Sequence, residues 1–112
     1  MDKLNHYRQL VQQLLLKYAA YKPAHGEIEV ETIFDNVHDY YQLVNVGWDH
    51  ETRIHGCPIH IDIKNNKVWI QHNGTEIDIG EELVDLGIAR SDIVLGFQPP
   101  YLRQFTQFAE ES

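Results

Sequence analysis

Leu4, Tyr7, Val11, Leu14, Leu15 and Tyr18 recur at steps of three and four residues, the spacing that lines side chains along one stripe of an α-helix. The pattern predicts a helix from about Lys3 to Tyr21, with Asp2 as its N-cap and Pro23 and Gly26 ending it. From Glu27 the period falls to two: Ile28, Val30, Thr32 and Phe34 alternate with Glu27, Glu29, Glu31 and Asp35, the signature of a half-buried strand. Asn36 to Asp39 supply turn chemistry, and Tyr40 to Trp48, rich in aromatic and β-branched residues, reads as the returning strand of an antiparallel hairpin.

A second hairpin is expected from Arg53–Lys64 and Lys67–His72, joined by Asn65-Asn66, a pair that tolerates the positive φ angles of a two-residue turn. Such a turn sets Lys64 opposite Lys67, Ile63 opposite Val68, Asp62 opposite Trp69, Ile61 opposite Ile70 and His60 opposite Gln71. One face of this hairpin is then aliphatic, and the other carries His60, Asp62, Trp69 and Gln71. Ile54 has the opposite parity to Ile59, Ile61 and Ile63, with Gly56 and Pro58 between, so a bulge or bend is expected there.

Beyond Asn73-Gly74 the period becomes helical again. Asp78 fits the cap of a short helix from Ile79 to Leu86, with Glu81 at the capping-box position and Gly87 after the last turn. A short apolar run, Ile93 to Leu95, precedes Pro99-Pro100 and a final expected helix with Tyr101, Leu102, Phe105, Phe108 and Ala109 on one side. The resulting fold class is α+β: an antiparallel sheet of about four or more strands, the amphipathic N-terminal helix across one face, a short middle helix and a C-terminal helix.

At 112 residues the chain is read as a single domain, 1–112, and its composition of 43% hydrophobic and 23% charged residues is that of a folded rather than a disordered chain. Seventeen acidic against nine basic residues give a net charge of −8, which repels phosphate backbones; tight direct binding to nucleic acid is not expected. Cys57 is the sole cysteine, so no intrachain disulfide can form, and no apolar run reaches the roughly 18 residues that cross a bilayer. A cytoplasmic protein without a membrane segment is expected.

His55, Cys57, His60 and Asp62 fall within eight residues and invite a metal reading, but a strand sends alternate side chains to opposite faces, so convergence would need the bend at Gly56–Pro58. No metal or cofactor is therefore assigned. Asp62-Ile63-Lys64 matches the acidic-x-Lys half of a Mg²⁺-dependent nuclease signature, yet no second carboxylate is placed beside it, and no catalytic residue is assigned. Trp69 is the informative residue: a large aromatic on the polar face of a hairpin needs a cover, either from a helix of its own chain or from a subunit or partner. Under the second alternative His60, Asp62, Trp69 and Gln71 are candidate contacts, with Glu29, from the acidic alternation, steering a basic partner.

The runs Arg53-Ile-His-Gly-Cys-Pro-Ile-His-Ile-Asp-Ile-Lys64, Val68-Trp-Ile-Gln71, Asn73-Gly-Thr-Glu76, Glu82-Leu-Val84 and Ser91-Asp-Ile-Val-Leu-Gly-Phe97 together resemble the XisI family of excision controlling factors. The opening helix through Lys22-Pro23 and the closing Pro100-Tyr-Leu-Arg-Gln-Phe105 fit the same pattern, so the resemblance covers nearly the whole chain. It implies an accessory role in excision of the cyanobacterial fdxN element, a rearrangement carried out by a separate recombinase and requiring XisH, itself similar to restriction-type nucleases. The expected function is thus protein–protein binding to an XisH-like partner by a homodimeric, non-enzymatic chain. The alternatives are an antitoxin-like inhibitor or chaperone of such a nuclease, and a metal-dependent nuclease using Asp62 and Lys64.

Overall fold

In a computed structural model, which describes residues 2–21 and 27–110, helix α1 spans Lys3–Ala19. Its first turn is closed as the sequence suggests, the Asp2 carboxylate accepting from the Leu4 amide at 3.0 Å. Pro23 and Gly26, read as its stop signals, lie outside the described residues; the cap is Ala20. Tyr7, Leu10, Val11, Leu14 and Leu15 form its buried stripe, as the three- and four-residue spacing requires.

Five strands, among the described residues, form one sheet in sequential order: β1 (Glu27–Asp35), β2 (Tyr40–Asp49), β3 (Thr52–Lys64), β4 (Lys67–Asn73) and β5 (Ile93–Leu95). The first four are antiparallel neighbours, and β5 joins β4 in parallel after crossing through α2 (Ile79–Leu86). A parallel neighbour needs such a crossover because a short turn can only reverse the chain. Both helices cover the same face, where Tyr41, Leu43, Ile59, Ile61, Ile63, Val68, Ile70 and Ile93 meet the α1 stripe and Ile79 and Leu83 of α2. The four aliphatic residues assigned to the core from register, Ile61, Ile63, Val68 and Ile70, are all there.

Asn65 and Asn66 take φ of 54° and 63°, the left-handed pair of a tight hairpin turn, and Ile63–Val68, Asp62–Trp69 and Ile61–Ile70 pair as the turn dictates. The next pair departs from expectation. His60 faces His72 and not Gln71, because Gln71 is an extra residue on β4, a bulge that lets the ladder continue to Ile59 and Asn73. The bend expected at Gly56–Pro58 is also a bulge: Leu43 faces Ile59 and Asn45 faces Gly56, so Val44 alone opposes Cys57 and Pro58. Pro58, which has no amide to donate, sits in this interruption.

Two helix expectations need correction. Glu81, at the capping-box position of α2, turns away to pair with Arg90, leaving Asp78 to cap the helix alone through the Glu81 amide at 3.2 Å. The final segment is not an α-helix with Tyr101 and Phe105 on its buried side. Pro100–Phe105 is a 3₁₀ turn whose buried residue is Arg103, while Tyr101 and Phe105 are exposed. The physical reason is local: the carbonyls of Gly96 and Gln98 accept from the Arg103 guanidinium, and six residues opened by a proline hold only a short run of backbone bonds. The chain then rounds the β5 edge, the Ala109 amide donating to the Ile93 carbonyl at 2.7 Å, and Phe108 lands on Gly80, where any side chain would collide with its ring.

The β1–β2 turn carries the best-connected charge of the helix face. The Arg8 Nε donates to Asp39 Oδ1 at 2.7 Å, and the Tyr41 hydroxyl donates to the same oxygen at 3.0 Å. The hydrogen bond from Arg8, followed by that from Tyr41, holds the Asp39 carboxyl below its ordinary pKa although burial opposes it. A carboxyl depressed on folding contributes stability above its unfolded pKa of about 3.9 and loses it as pH falls through the folded value. Asp39→Asn, which keeps a side chain tolerant of the observed φ of 62°, is therefore expected to lower stability at neutral pH and to flatten its decline below about pH 4, as read by urea denaturation across pH. Equal acid sensitivity in the variant would place the acid-labile group elsewhere.

Candidate functional site

The sheet face away from the helices holds the expected polar residues, because residues directly opposite across antiparallel strands share a face. Tyr40 lies opposite Asp62 and Gln42 opposite His60, while Asp62 lies opposite Trp69. His60 Nε2 is 2.8 Å from Asp62 Oδ1, and Gln71 Nε2 donates to Asp62 Oδ2 at 3.2 Å. Three of the expected contact residues therefore form one connected, half-buried polar patch around a single carboxylate. The bulge at Gln71 is what aims its amide at Asp62.

Trp69 belongs to this face but not to its surface. It is only 4% exposed, its ring covered by Lys64 Nζ, 4.1 Å from the centroid, and by the Arg103 guanidinium, 5.1 Å away. Of the two covers the sequence allowed, the chain supplies the intrachain one, though through a buried arginine of the 3₁₀ turn and not through a helix. Trp69 is accordingly corrected from a direct contact to a buried support beneath the patch. A cation over an indole face is attracted to its quadrupole, by about 0.5–2 kcal/mol depending on desolvation.

Glu29 is not brought to the patch. It stands opposite Val46, which stands opposite His55, in a row farther along the sheet than the row of Gln42 and His60.

Only His60 and Asp62 of the four candidate ligands come together; His55 lies beyond the bulge and Cys57 within it, the Cys57 thiol, raised in pKa by burial, donating to the Ile59 carbonyl at 3.3 Å. Among the described residues no three of His, Cys, Asp and Glu converge as a metal shell would require. Lys64, the lysine of the acidic-x-Lys pair, rests over Trp69.

Sequence reasoning missed four members of this face. Arg103 was read as one residue of an amphipathic helix; only its return across the sheet reveals it as the cover of Trp69. Tyr40 and Gln42 could have been found, since extending the hairpin register back from Asp62 through the bulge places them beside it. Trp48, half exposed with the Arg53 guanidinium 5.3 Å over its ring, was legible only as a strand residue.

No helix among the described residues is long and apolar enough to cross a membrane. The class defined here is a two-layer α+β protein that covers one sheet face with helices and leaves the other partly open. The XisI protein family model matches residues 1–110, and the chain belongs to the XisI family. It is similar to the crystal structure of a XisI-like protein from Anabaena variabilis ATCC 29413, at 44% identity and a TM-score of 0.88 over 96% of this chain and 98% of that one. It is also similar to the fdxN element excision controlling factor XisI from the same organism, at 33% identity and a TM-score of 0.84 over 98% and 100% of the two chains. No curated protein matches.

Proposed function

We propose that this chain is an accessory controlling factor for programmed excision of a DNA element by site-specific recombination, and that it acts by binding an XisH-like, nuclease-related protein. The observation that carries this reading is the likeness to the fdxN element excision controlling factor XisI, which covers 98% of this chain and 100% of that one. The chemistry of the open face favours binding over catalysis: Asp62 is engaged by His60 and Gln71, and Lys64 by Trp69, which leaves a shaped polar patch and not a free acid–base pair. In this reading the chain functions in the cytoplasm as a homodimer and uses no metal or cofactor. Its influence on DNA is indirect, since a net charge of −8 opposes phosphate contact.

The test is co-expression with an XisH-like protein and purification through a tag on one of them. A stoichiometric complex is expected, and the His60→Ala/Gln71→Ala double substitution is expected to weaken it by about tenfold or more. No complex at micromolar concentration removes the partner; a complex indifferent to the double substitution keeps the partner and discards the patch. Cleavage of DNA by the pure chain with Mg²⁺ would overturn the non-enzymatic assignment.

A further inference from the structure

The open face is not uniform, and its two ends differ in how their charges are used. At the turn end, Asp35 accepts from the Val37 and His38 amides and lies 2.7 Å from the His38 ring, while Asp62 is engaged by His60 and Gln71. At the opposite end the register makes two rows across three strands. Glu27, Trp48 and Arg53 form one, and Glu29, Val46 and His55 form the other. Both rows run from a carboxylate on β1, through an apolar side chain on β2, to a basic or imidazole side chain on β3. Glu27 and Glu29 have no ion pair or hydrogen bond of their side chains among the described residues, and Arg53 contacts only the Trp48 ring and, at 3.4 Å, the Gly47 carbonyl. Trp48 is 49% exposed in the middle of this arrangement.

A row ordered acid, apolar, base is complementary to itself when turned over. We infer that the Trp48 end of the open sheet face is an interface with a second copy of this chain, the two copies related by a two-fold axis running along β2. Such an axis lays β1 of one copy over β3 of the other. Glu27 then meets Arg53 of the second copy, Glu29 meets the His55 imidazole, and Trp48 and Val46 meet their own counterparts on the axis, the self-complementary contact that a two-fold interface requires. Other two-fold arrangements fail on charge. An axis across the strands, or edge-to-edge pairing of β1 with β1, brings Glu27, Glu29 and Glu31 against the same stripe, where like charges repel.

The net charge of −8 on each copy opposes association, but that long-range term is screened beyond a Debye length of about 8 Å at physiological ionic strength, whereas contact pairs are screened much less. Pairing Arg53 and covering Trp48 therefore dominate at contact distance, and the dimer is expected to tighten with moderate salt and not to loosen, until the salt is high enough to screen the pairs themselves.

The inference rests on the homodimer reading above and deepens it by naming the face. The test is sedimentation equilibrium of the full chain as wild type, Glu27→Arg, Arg53→Glu and the double swap, both positions being exposed strand sites and each variant checked for native circular dichroism. The wild type is expected at twice 13.1 kDa. Each single substitution sets like charges together and is expected to raise the dimer dissociation constant by about tenfold or more, while the double swap, which restores opposite charges across the interface, returns it to within about threefold of wild type. A monomeric wild type overturns both the face and the dimer reading and leaves the face to a different protein. A dimer whose constant is unmoved by the single substitutions keeps the dimer and overturns the face, and single losses that the swap does not repair overturn the pairing.

Discussion

Leu15→Ala is expected to destabilise the chain by about 2–5 kcal/mol, whereas Leu16→Ala, one residue on, is expected to change stability by no more than about 0.5 kcal/mol. The two leucines have the same chemistry and the same helix. Leu15 is fully buried in the core shared by α1 and the sheet, so truncation removes its transfer free energy and leaves a cavity in that core that relaxation fills only in part. Leu16 is 54% exposed and turns to solvent. Alanine is also the better helix former, which offsets part of what Leu16 contributes. Urea denaturation with a shared m-value reads the difference directly; equal losses at the two sites would mean that α1 does not present this stripe to the sheet.

Arg103→Ala is expected to cost about 2–4 kcal/mol and to bring Trp69 into water. Arg103 is 6% exposed, donates to the carbonyls of Gln98 and Gly96 and lies over the Trp69 ring. Removing the guanidinium leaves those carbonyls without their donor and uncovers the indole, so the whole closing segment from Gly96 to Thr106 loses its anchor. Arg103→Lys is expected to recover only part of the loss, because a point ammonium cannot reach two carbonyls and stack at once as the planar fork does. In a Trp48→Phe background the remaining emission comes from Trp69 alone, and Arg103→Ala should shift it to the red while leaving α1 helicity intact. An unshifted spectrum would show that another group covers Trp69.

These two substitutions differ in how readily the sequence announces them. The burial of Leu15 follows from spacing alone, since a helix has one period and its apolar stripe must face the core. The Asn65-Asn66 turn is similarly local: two residues that tolerate positive φ fix the register of Ile63 with Val68 and of Ile61 with Ile70, and with it the core face of the hairpin. The cover over Trp69 is not local. It depends on a segment more than thirty residues later returning across β5, and the apolar spacing of Tyr101, Leu102 and Phe105 suggested a helix that the Arg103 bonds to Gly96 and Gln98 replace with a 3₁₀ turn.

The candidate site divides along the same line. That His60 and Asp62 share a face follows from the two-residue period of a strand, and their 2.8 Å contact fulfils it. That Gln71 joins them through a bulge could not be read from alternation, because a bulge resets parity by one residue and this one leaves no signal in the sequence as distinct as a proline, while the separate row of Glu29, Val46 and His55 follows only once three strands are paired. The sequence by itself determined the first helix, the two hairpins, the short middle helix, the aliphatic core and the near-complete likeness to XisI, all of which depend on local period or on matched runs of residues. Only the tertiary structure decided that β5 adds in parallel, that the chain itself buries Trp69, and that the unpaired Glu27 and Arg53 lie in one row across the open face, since each of these is set by long-range contacts whose energy depends on packing and not on sequence spacing.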